Sequence, residues 1–259
     1  MSVLFFIILI PLLLAALVVL LLLHGRRRQA RFIRRTLAGR SSPPQPRRII
    51  ASLSTLPDRI ANLQPTLECL VNQTRPPDEI VLVVPRFSLR QKKKYVLPEY
   101  LARYPQVRIL RCDKDWGPAT KFIPVLQEEL AAGRGDTLVM VADDDRIYAP
   151  DTLQTYLHYH GLLPDAALCF RGAPMPRNLH WTKPKLCLAS RIREPRPVAV
   201  MMGCGSYLIQ ARFFYERLWD YSDAPNGAFY MDDIWLSGWL DRGSVNKYVV
   251  PGSAMMQTA

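Results

Sequence analysis

Six residues with one polar member, Thr137-Leu138-Val139-Met140-Val141-Ala142, run straight into three consecutive aspartates, Asp143-Asp144-Asp145, and a helix-start signal follows at Pro150-Asp151-Thr152. A short apolar run bounded by turn residues reads as a buried strand of a parallel sheet. Its three carboxylates then fall at the C-terminal edge of the strand, where open α/β sheets bind ligands. Neighbouring carboxylates repel, so this group should keep a proton or recruit a cation, and a hard divalent ion such as Mg2+ or Mn2+ suits oxygen ligands. A single Asp at a strand end commonly does no more than bend a turn. Three in a row after a buried strand point instead to a site.

The rest of the chain repeats the strand-then-helix pattern. Arg48–Leu53 reads as a strand, and Thr55-Leu56-Pro57-Asp58-Arg59 as a helix start leading into Ile60, Leu63, Leu67, Leu70 and Val71 at helical spacing. Glu79–Val84 and Val107–Arg111 read as further strands, Pro118–Leu130 as a helix, Thr152–Tyr159 as another, and Ala166–Arg171 as the next strand. The basic connection 90–104, with Lys92-Lys93-Lys94, reads as a partly helical solvated face. Strands separated by helical stretches mean βαβ units, an α/β class and a mostly parallel sheet. Residues 47–259 are enough for one domain with a sizeable core.

Two segments precede that domain. Val3 to Leu23 is an uninterrupted apolar run, long enough for the roughly 20 residues a membrane span needs, and 1–24 is expected to be a transmembrane anchor. A cleaved signal peptide is the competing reading, against which stand the missing positive n-region and the length. Residues 25–46 form a basic juxtamembrane segment closing in the stiff linker Ser41-Ser42-Pro43-Pro44-Gln45-Pro46. Nine arginines lie between Arg26 and Arg48, ahead of the first carboxylate at Asp58. The positive-inside rule therefore puts the C-terminal domain on the cytoplasmic side of a single-pass protein. These arginines also explain most of the formal charge of +12, since without them 25 basic residues face 22 acidic ones. Anionic membrane lipids fit that pattern, and nucleic acid does not. Five cysteines, an odd number without any CxxC, fit free thiols in a reducing compartment.

Further candidate segments follow the strands. Asp113–Lys121, reading DKDWGPATK, enters a helix with proline in its first turn, where free N–H groups favour an anion and Lys121 lies one turn in. Asp115 and Gly117 would equally serve only as a cap. His158 and His160 lack the spacing of a metal pair and stay ordinary residues. Residues 172–197 read as a long loop of the kind that forms lids, and its Trp181 would stack on a sugar or anchor the loop. Val198–Tyr207 runs from an apolar strand into Gly203-Cys204-Gly205, where glycines let a backbone approach a ligand or make a turn. Asp232-Asp233 open an amphipathic helix; one of them is expected as its cap, and a second carboxylate beside the first has a raised pKa suited to a general base. Trp235 and Trp239 are expected in the core.

Taken together, IIASLSTLPDRI, LECLVNQTRPPDEIVLVVP, DWGPATKF, VADDDRIYAP, MMGCGSYLI and YMDDIWLSGWLDRGSVNKYVVP resemble the nucleotide-sugar-dependent glycosyltransferases of the GT-A fold, in particular those similar to glycosyltransferase family 2. The resemblance spans nearly all of 47–251 in the expected order. It implies that Asp143-Asp144-Asp145 is the DxD-type site, with Asp145 and Asp143 at the divalent cation and Asp143 near the ribose. By the same resemblance Thr55, Arg59, Lys121 and Asp144 surround the donor nucleotide, Gly203 and Gly205 line the sugar and acceptor pocket, and Asp233, with Asp232 beside it, deprotonates the acceptor hydroxyl. Met231-Asp232 stand where such enzymes often carry a glutamate, which leaves inversion and retention both open. The reading is a membrane-anchored, metal-dependent glycosyltransferase using a nucleoside-diphosphate sugar, UDP-linked, and a hydroxyl acceptor that is lipid-linked or a glycan. Its rivals are a nucleotidyltransferase acting on a sugar phosphate and a non-catalytic sugar- or lipid-binding scaffold.

Overall fold

Strand β1, Ile49–Ser54, buries its first five residues, and β4, Leu138–Ala142, buries all of its own, as a strand covered on both faces must. The computed structural model describes residues 48–176, 185–225, 227–252 and 256–257. The expected anchor 1–24, the basic segment 25–46 and Trp181 lie outside the described residues. Among the described residues no helix is long and apolar enough to cross a membrane.

With β2 at Glu79–Pro85 and β3 at Val107–Cys112, the order β3-β2-β1-β4 is parallel throughout, as the sequence predicts. The sheet continues through β10 (Tyr207–Gln210), β5 (Ala166–Cys169), β11 (Asn246–Val249) and β8 (Arg196–Pro197). Here β5 and β11 are parallel, whereas β10 runs antiparallel to both β4 and β5, and β8 antiparallel to β11. The large sheet is thus mostly parallel with two reversed strands.

The helices start later than their sequence signals. Residues Ile60–Asn62 and Gly117–Lys121 form 3-10 turns before α1 (Gln64–Val71) and α2 (Ile123–Ala131), because Pro65 and Pro124 suit a first helical turn. Helix α3 spans Thr152–Leu162 and α4 spans Asp232–Arg242. The expected loop 172–197 is corrected in its described parts. Strand β6 (Arg171–Ala173) pairs antiparallel with β7 (Cys187–Leu188) and with β9 (Val200–Met201), forming a small second sheet. Gly172 permits this, since a Cβ there would lie 2.8 Å from the Val200 carbonyl oxygen. All five cysteines are free, as expected.

The topology concentrates chemistry at one edge. Leu53 of β1 pairs with Ala142 of β4, so Thr55 and Asp143 leave the sheet side by side. Because β10 is reversed, its first residue Tyr207 pairs with Val141, which brings the preceding Gly203–Gly205 turn to the same edge.

Candidate active site

Each aspartate of the triple run is answered by a basic side chain. The Thr55 hydroxyl donates to Asp144 Oδ2 at 2.6 Å, and Arg59 Nη2 bonds Asp144 Oδ1 and reaches Asp145 Oδ2 at 2.9 Å. Lys121 Nζ donates to Asp143 Oδ1 at 2.8 Å, and Arg146 Nε lies 3.5 Å from Asp145 Oδ1. Burial pushes the Asp144 carboxyl up, against the Thr55 hydrogen bond and the Arg59 charge. Mutual repulsion is therefore resolved by cations of the protein. The backbone is fixed as well: the Tyr148 hydroxyl accepts the Asp143 N–H at 2.8 Å, and the Thr66 hydroxyl donates to the Asp144 carbonyl at 2.9 Å.

Lys121 is the hinge of the electrostatics. It is 7% exposed, and its ammonium lies 2.8 Å from Asp143 Oδ1 and 3.1 Å from Asp232 Oδ2. Burial alone would lower its pKa, but Asp143 and Asp232 hold it well above the ordinary lysine value, so it stays charged. The turn that carries it is anchored by the Ser52 hydroxyl, which donates to the Lys121 carbonyl at 2.5 Å. Asp115 organises the same turn, accepting from the Gly117 N–H at 2.8 Å and from the Leu89 N–H at 2.7 Å. Asp115 thus ties the turn together without capping it, since Trp116 holds the cap position and no side chain caps the segment, while Lys121 points inward.

On the far side of Lys121, Asp233 Oδ1 accepts the Gly203 N–H at 2.8 Å. Burial first, and the Asp232 charge second, push the Asp233 carboxyl up to about 7. The expectation that one of this pair caps α4 is corrected: Met231 occupies the cap position and no side chain caps the helix, because Asp232 turns to Lys121 and Asp233 to Gly203. Trp235 and Trp239 are half-buried rather than core. Ring against ring, they border a second cavity of about 650 Å³ on the outer face of α4.

A cavity of about 260 Å³ joins the first set of groups. It is lined by Thr55, Arg59, Lys121, Asp143, Asp144 and Asp145, and also by residues that carry no sequence signal of their own, Tyr95, Arg90, Phe229 and Tyr230. Gly203, Gly205, Asp232 and Asp233 lie beyond its lining, reached through Lys121. Among the described residues no three His, Cys, Asp or Glu side chains converge as a metal-binding group. Asp143 and Asp145 nonetheless fit a hard cation of the kind held by one or two carboxylates plus substrate phosphates, since both face the cavity and Asp143 uses only one oxygen on Lys121. Asp144 fits that role less well: its side chain is 10% exposed against 35% for Asp145, and Thr55 and Arg59 both hydrogen-bond it.

A family model described as glycosyl transferase family 2 matches residues 58–219. Among solved structures, GalNAc-T7 with UDP, GalNAc and Mn2+ is similar at a TM-score of 0.54 and 15% identity, over 82% of this chain and 44% of that one. TarS 1–349 of S. aureus gives a TM-score of 0.47 and 14% identity over 82% of this chain and 60% of that one. A 4-diphosphocytidyl-2C-methyl-D-erythritol synthase gives 0.49 and 13% over 80% and 90%. The first of these similarities shows a shared fold, and this chain spans less than two thirds of GalNAc-T7 and of TarS 1–349. No curated protein matches.

Proposed function

We propose that this chain, which belongs to glycosyl transferase family 2 and is a glycosyltransferase of the GT-A fold, moves a sugar from a nucleoside-diphosphate donor, UDP-linked, to a hydroxyl acceptor. The observation that carries the reading is the buried Lys121 ammonium, held between Asp143 at the cavity and Asp232 beside Asp233. A donor diphosphate entering the cavity meets Lys121 and Arg59, whose charges offset the negative charge that grows on the leaving group. Asp143 and Asp145 would hold a divalent cation, Mn2+ or Mg2+, which when bound supplies further neutralisation of the diphosphate. Thr55 and Tyr95 shape the nucleotide side; the Tyr95 hydroxyl donates to the Thr55 carbonyl at 2.9 Å. On the other side Asp233, with its carboxyl held up near 7, takes the proton of the attacking hydroxyl. The Gly203 amide fixes the carboxylate for that task.

We place residues 1–24 in a membrane as a single anchor with the catalytic domain on the cytoplasmic side, and the arginines 26–48 against anionic lipids. What supports this is the unbroken apolar run and the arginine-rich flank. The acceptor is accordingly a glycan or lipid-linked hydroxyl at that surface.

The test is binding and turnover in two variants. UDP is expected to bind only with Mn2+ or Mg2+, Asp145→Asn to lose that binding, and Asp233→Asn to keep it and lose turnover. Metal-independent UDP affinity in Asp145→Asn would overturn the donor reading. Release of pyrophosphate from a nucleoside triphosphate and a sugar phosphate would replace it with nucleotidyl transfer.

A further inference from the structure

A hairpin beside the cavity carries a surface that glycosyl transfer does not use. Its two-residue strands, Phe87–Ser88 and Lys93–Lys94, pair antiparallel, with Phe87 opposite Lys94 and Ser88 opposite Lys93. One side is held to the body of the domain. Ser88 and Tyr95 are buried, the Tyr95 hydroxyl donates to the Thr55 carbonyl, and the Leu89 N–H donates to Asp115 Oδ2 at 2.7 Å. The other side is open: Phe87 is 42%, Leu89 56% and Val96 81% exposed. Three of the nine large apolar or aromatic side chains exposed among the described residues thus fall within 86–96. One exposed apolar residue is ordinary, whereas a cluster of them marks an interaction surface.

The same stretch exposes Arg86, Arg90, Lys92, Lys93 and Lys94 and contains no acidic residue. Two of these meet carboxylates from outside it, Arg86 with Asp113 at 2.5 Å and Lys93 with Asp58 at 2.6 Å, and such exposed pairs hold weakly. Lys92 sits at a φ of 53°, a left-handed turn position that favours glycine, so the hairpin keeps a charge at its tip against backbone preference. Aliphatic side chains interleaved with lysine and arginine match an anionic bilayer. The apolar groups enter the acyl boundary while the long basic side chains reach back to the headgroups. A nucleic-acid face would instead offer several stacking rings, and Phe87 is the one exposed aromatic in this stretch.

We propose that residues 86–96 are a second membrane contact, through which the folded domain rests on an anionic lipid surface with its cavity beside the headgroups. Arg90 and Tyr95 of this stretch line that cavity, so the contact sets how its mouth meets the bilayer. The patch is small and acts on a chain already held at the surface, where tethering supplies the local concentration that three apolar side chains do not. The proposal therefore rests on the anchor reading of residues 1–24 and is independent of the chemistry in the cavity.

The full chain is reconstituted into vesicles of phosphatidylglycerol and, separately, of phosphatidylcholine, and lysine acetylation by a water-soluble active ester is read by mass spectrometry. Lys92 and Lys94 should react about fivefold more slowly on phosphatidylglycerol, with Lys185, exposed ahead of β7, unchanged. Reaction of Lys92 and Lys94 at equal rates on both lipids, or equal protection of Lys185, overturns the proposal. The fluorescence that Leu89→Trp adds to the native signal should fall by about half in phosphatidylglycerol brominated on its acyl chains, and no added quenching overturns apolar insertion and the proposal with it. Leu89→Ser combined with Val96→Ser should return both lysines to their phosphatidylcholine rates while the chain still co-sediments with the vesicles; protection that persists overturns the proposal. Polyphosphate that protects Lys92 and Lys94 on phosphatidylcholine as fully as phosphatidylglycerol does would make the patch a polyanion site and overturn it as well. Failure of the native chain to co-sediment at all overturns the anchor reading and this proposal together, whereas co-sedimentation without lysine protection overturns this proposal alone.

Discussion

Asp233 and Asp232 are adjacent in sequence, yet the fold gives them different work. Asp232 shares the Lys121 ammonium, whereas Asp233 has only a backbone amide, and burial keeps its carboxyl near 7. Such a group becomes a base as pH rises, so kcat/KM should fall about tenfold per pH unit below 7 and level off above it, measured from pH 5 to 9 at saturating metal. A flat profile would remove Asp233 from proton transfer. The same shift acts on stability with the opposite sense. An aspartate titrating near 4 when unfolded and near 7 when folded binds more protons in the folded state between those values, so stability falls as pH rises through that window. Asp233→Asn should accordingly be at least as stable as the native chain at pH 8 by denaturant midpoint, while kcat drops a hundredfold or more. The aspartates were legible as site residues because they follow a buried strand or open a helix. Their partners were not: Lys121 meets Asp232 across 111 positions of chain, a pairing that only the closed sheet edge creates.

Among elements, β1, β2 and β4 could be read from sequence because each is an apolar run too continuous for a surface, whereas β3, half-buried at the sheet edge, could be read from Val107, Ile109 and Leu110 alone. The reversal of β10 could not, since Tyr207–Gln210 is equally apolar in either direction and its pairing is decided by β4 and β5 on its two sides. Strands of two or three residues, such as β6 and β7, leave no period to detect and exist because they pair with a neighbour, whereas β9 was legible as the apolar run ahead of Gly203. The Gly203 turn shows how tightly these pieces meet. A Cβ at 203 would lie 2.9 Å from Asp233 Oδ1 and 3.1 Å from Lys121 Nζ, so Gly203→Ala must displace the base, while the lysine need give only slightly. Turnover should fall at least tenfold with UDP affinity little changed, a split that steady-state kinetics beside calorimetry would read. Loss of both together would show general collapse. Helix α2 is tied to β4 by Glu129, which is fully buried and accepts from Thr137 at 2.6 Å and from Arg134 at 2.8 Å. Burial would raise its carboxyl, but those hydrogen bonds and Arg48 prevail and hold it below the ordinary glutamate value. That stabilisation is present above the unfolded pKa and is lost as pH falls through the folded one. Glu129→Gln should cost about 1–3 kcal/mol in urea unfolding at pH 7 and less at pH 3.

The whole molecule divides its charge unevenly, and the consequence is a prediction about where it works. Nine of its 34 basic residues fall between Arg26 and Arg48, directly after an apolar run, whereas the folded domain beyond them is close to balanced. At about 1 kcal/mol for each arginine near an anionic surface, the flank would hold the protein to such a membrane even before the apolar run is counted. None of the groups that build the cavity, from Thr55 to Tyr230, belongs to that region. The two tasks are therefore separable: deleting residues 1–46 should leave metal-dependent UDP binding within about twofold, by calorimetry, and abolish co-sedimentation with vesicles of phosphatidylglycerol. Turnover on a soluble acceptor should persist, and turnover on a vesicle-embedded acceptor should drop at least tenfold, because the enzyme no longer shares a surface with its substrate. A deletion that kept full turnover on the vesicle-embedded acceptor would remove the membrane from the mechanism, leaving the sheet edge and its aspartates to act in solution.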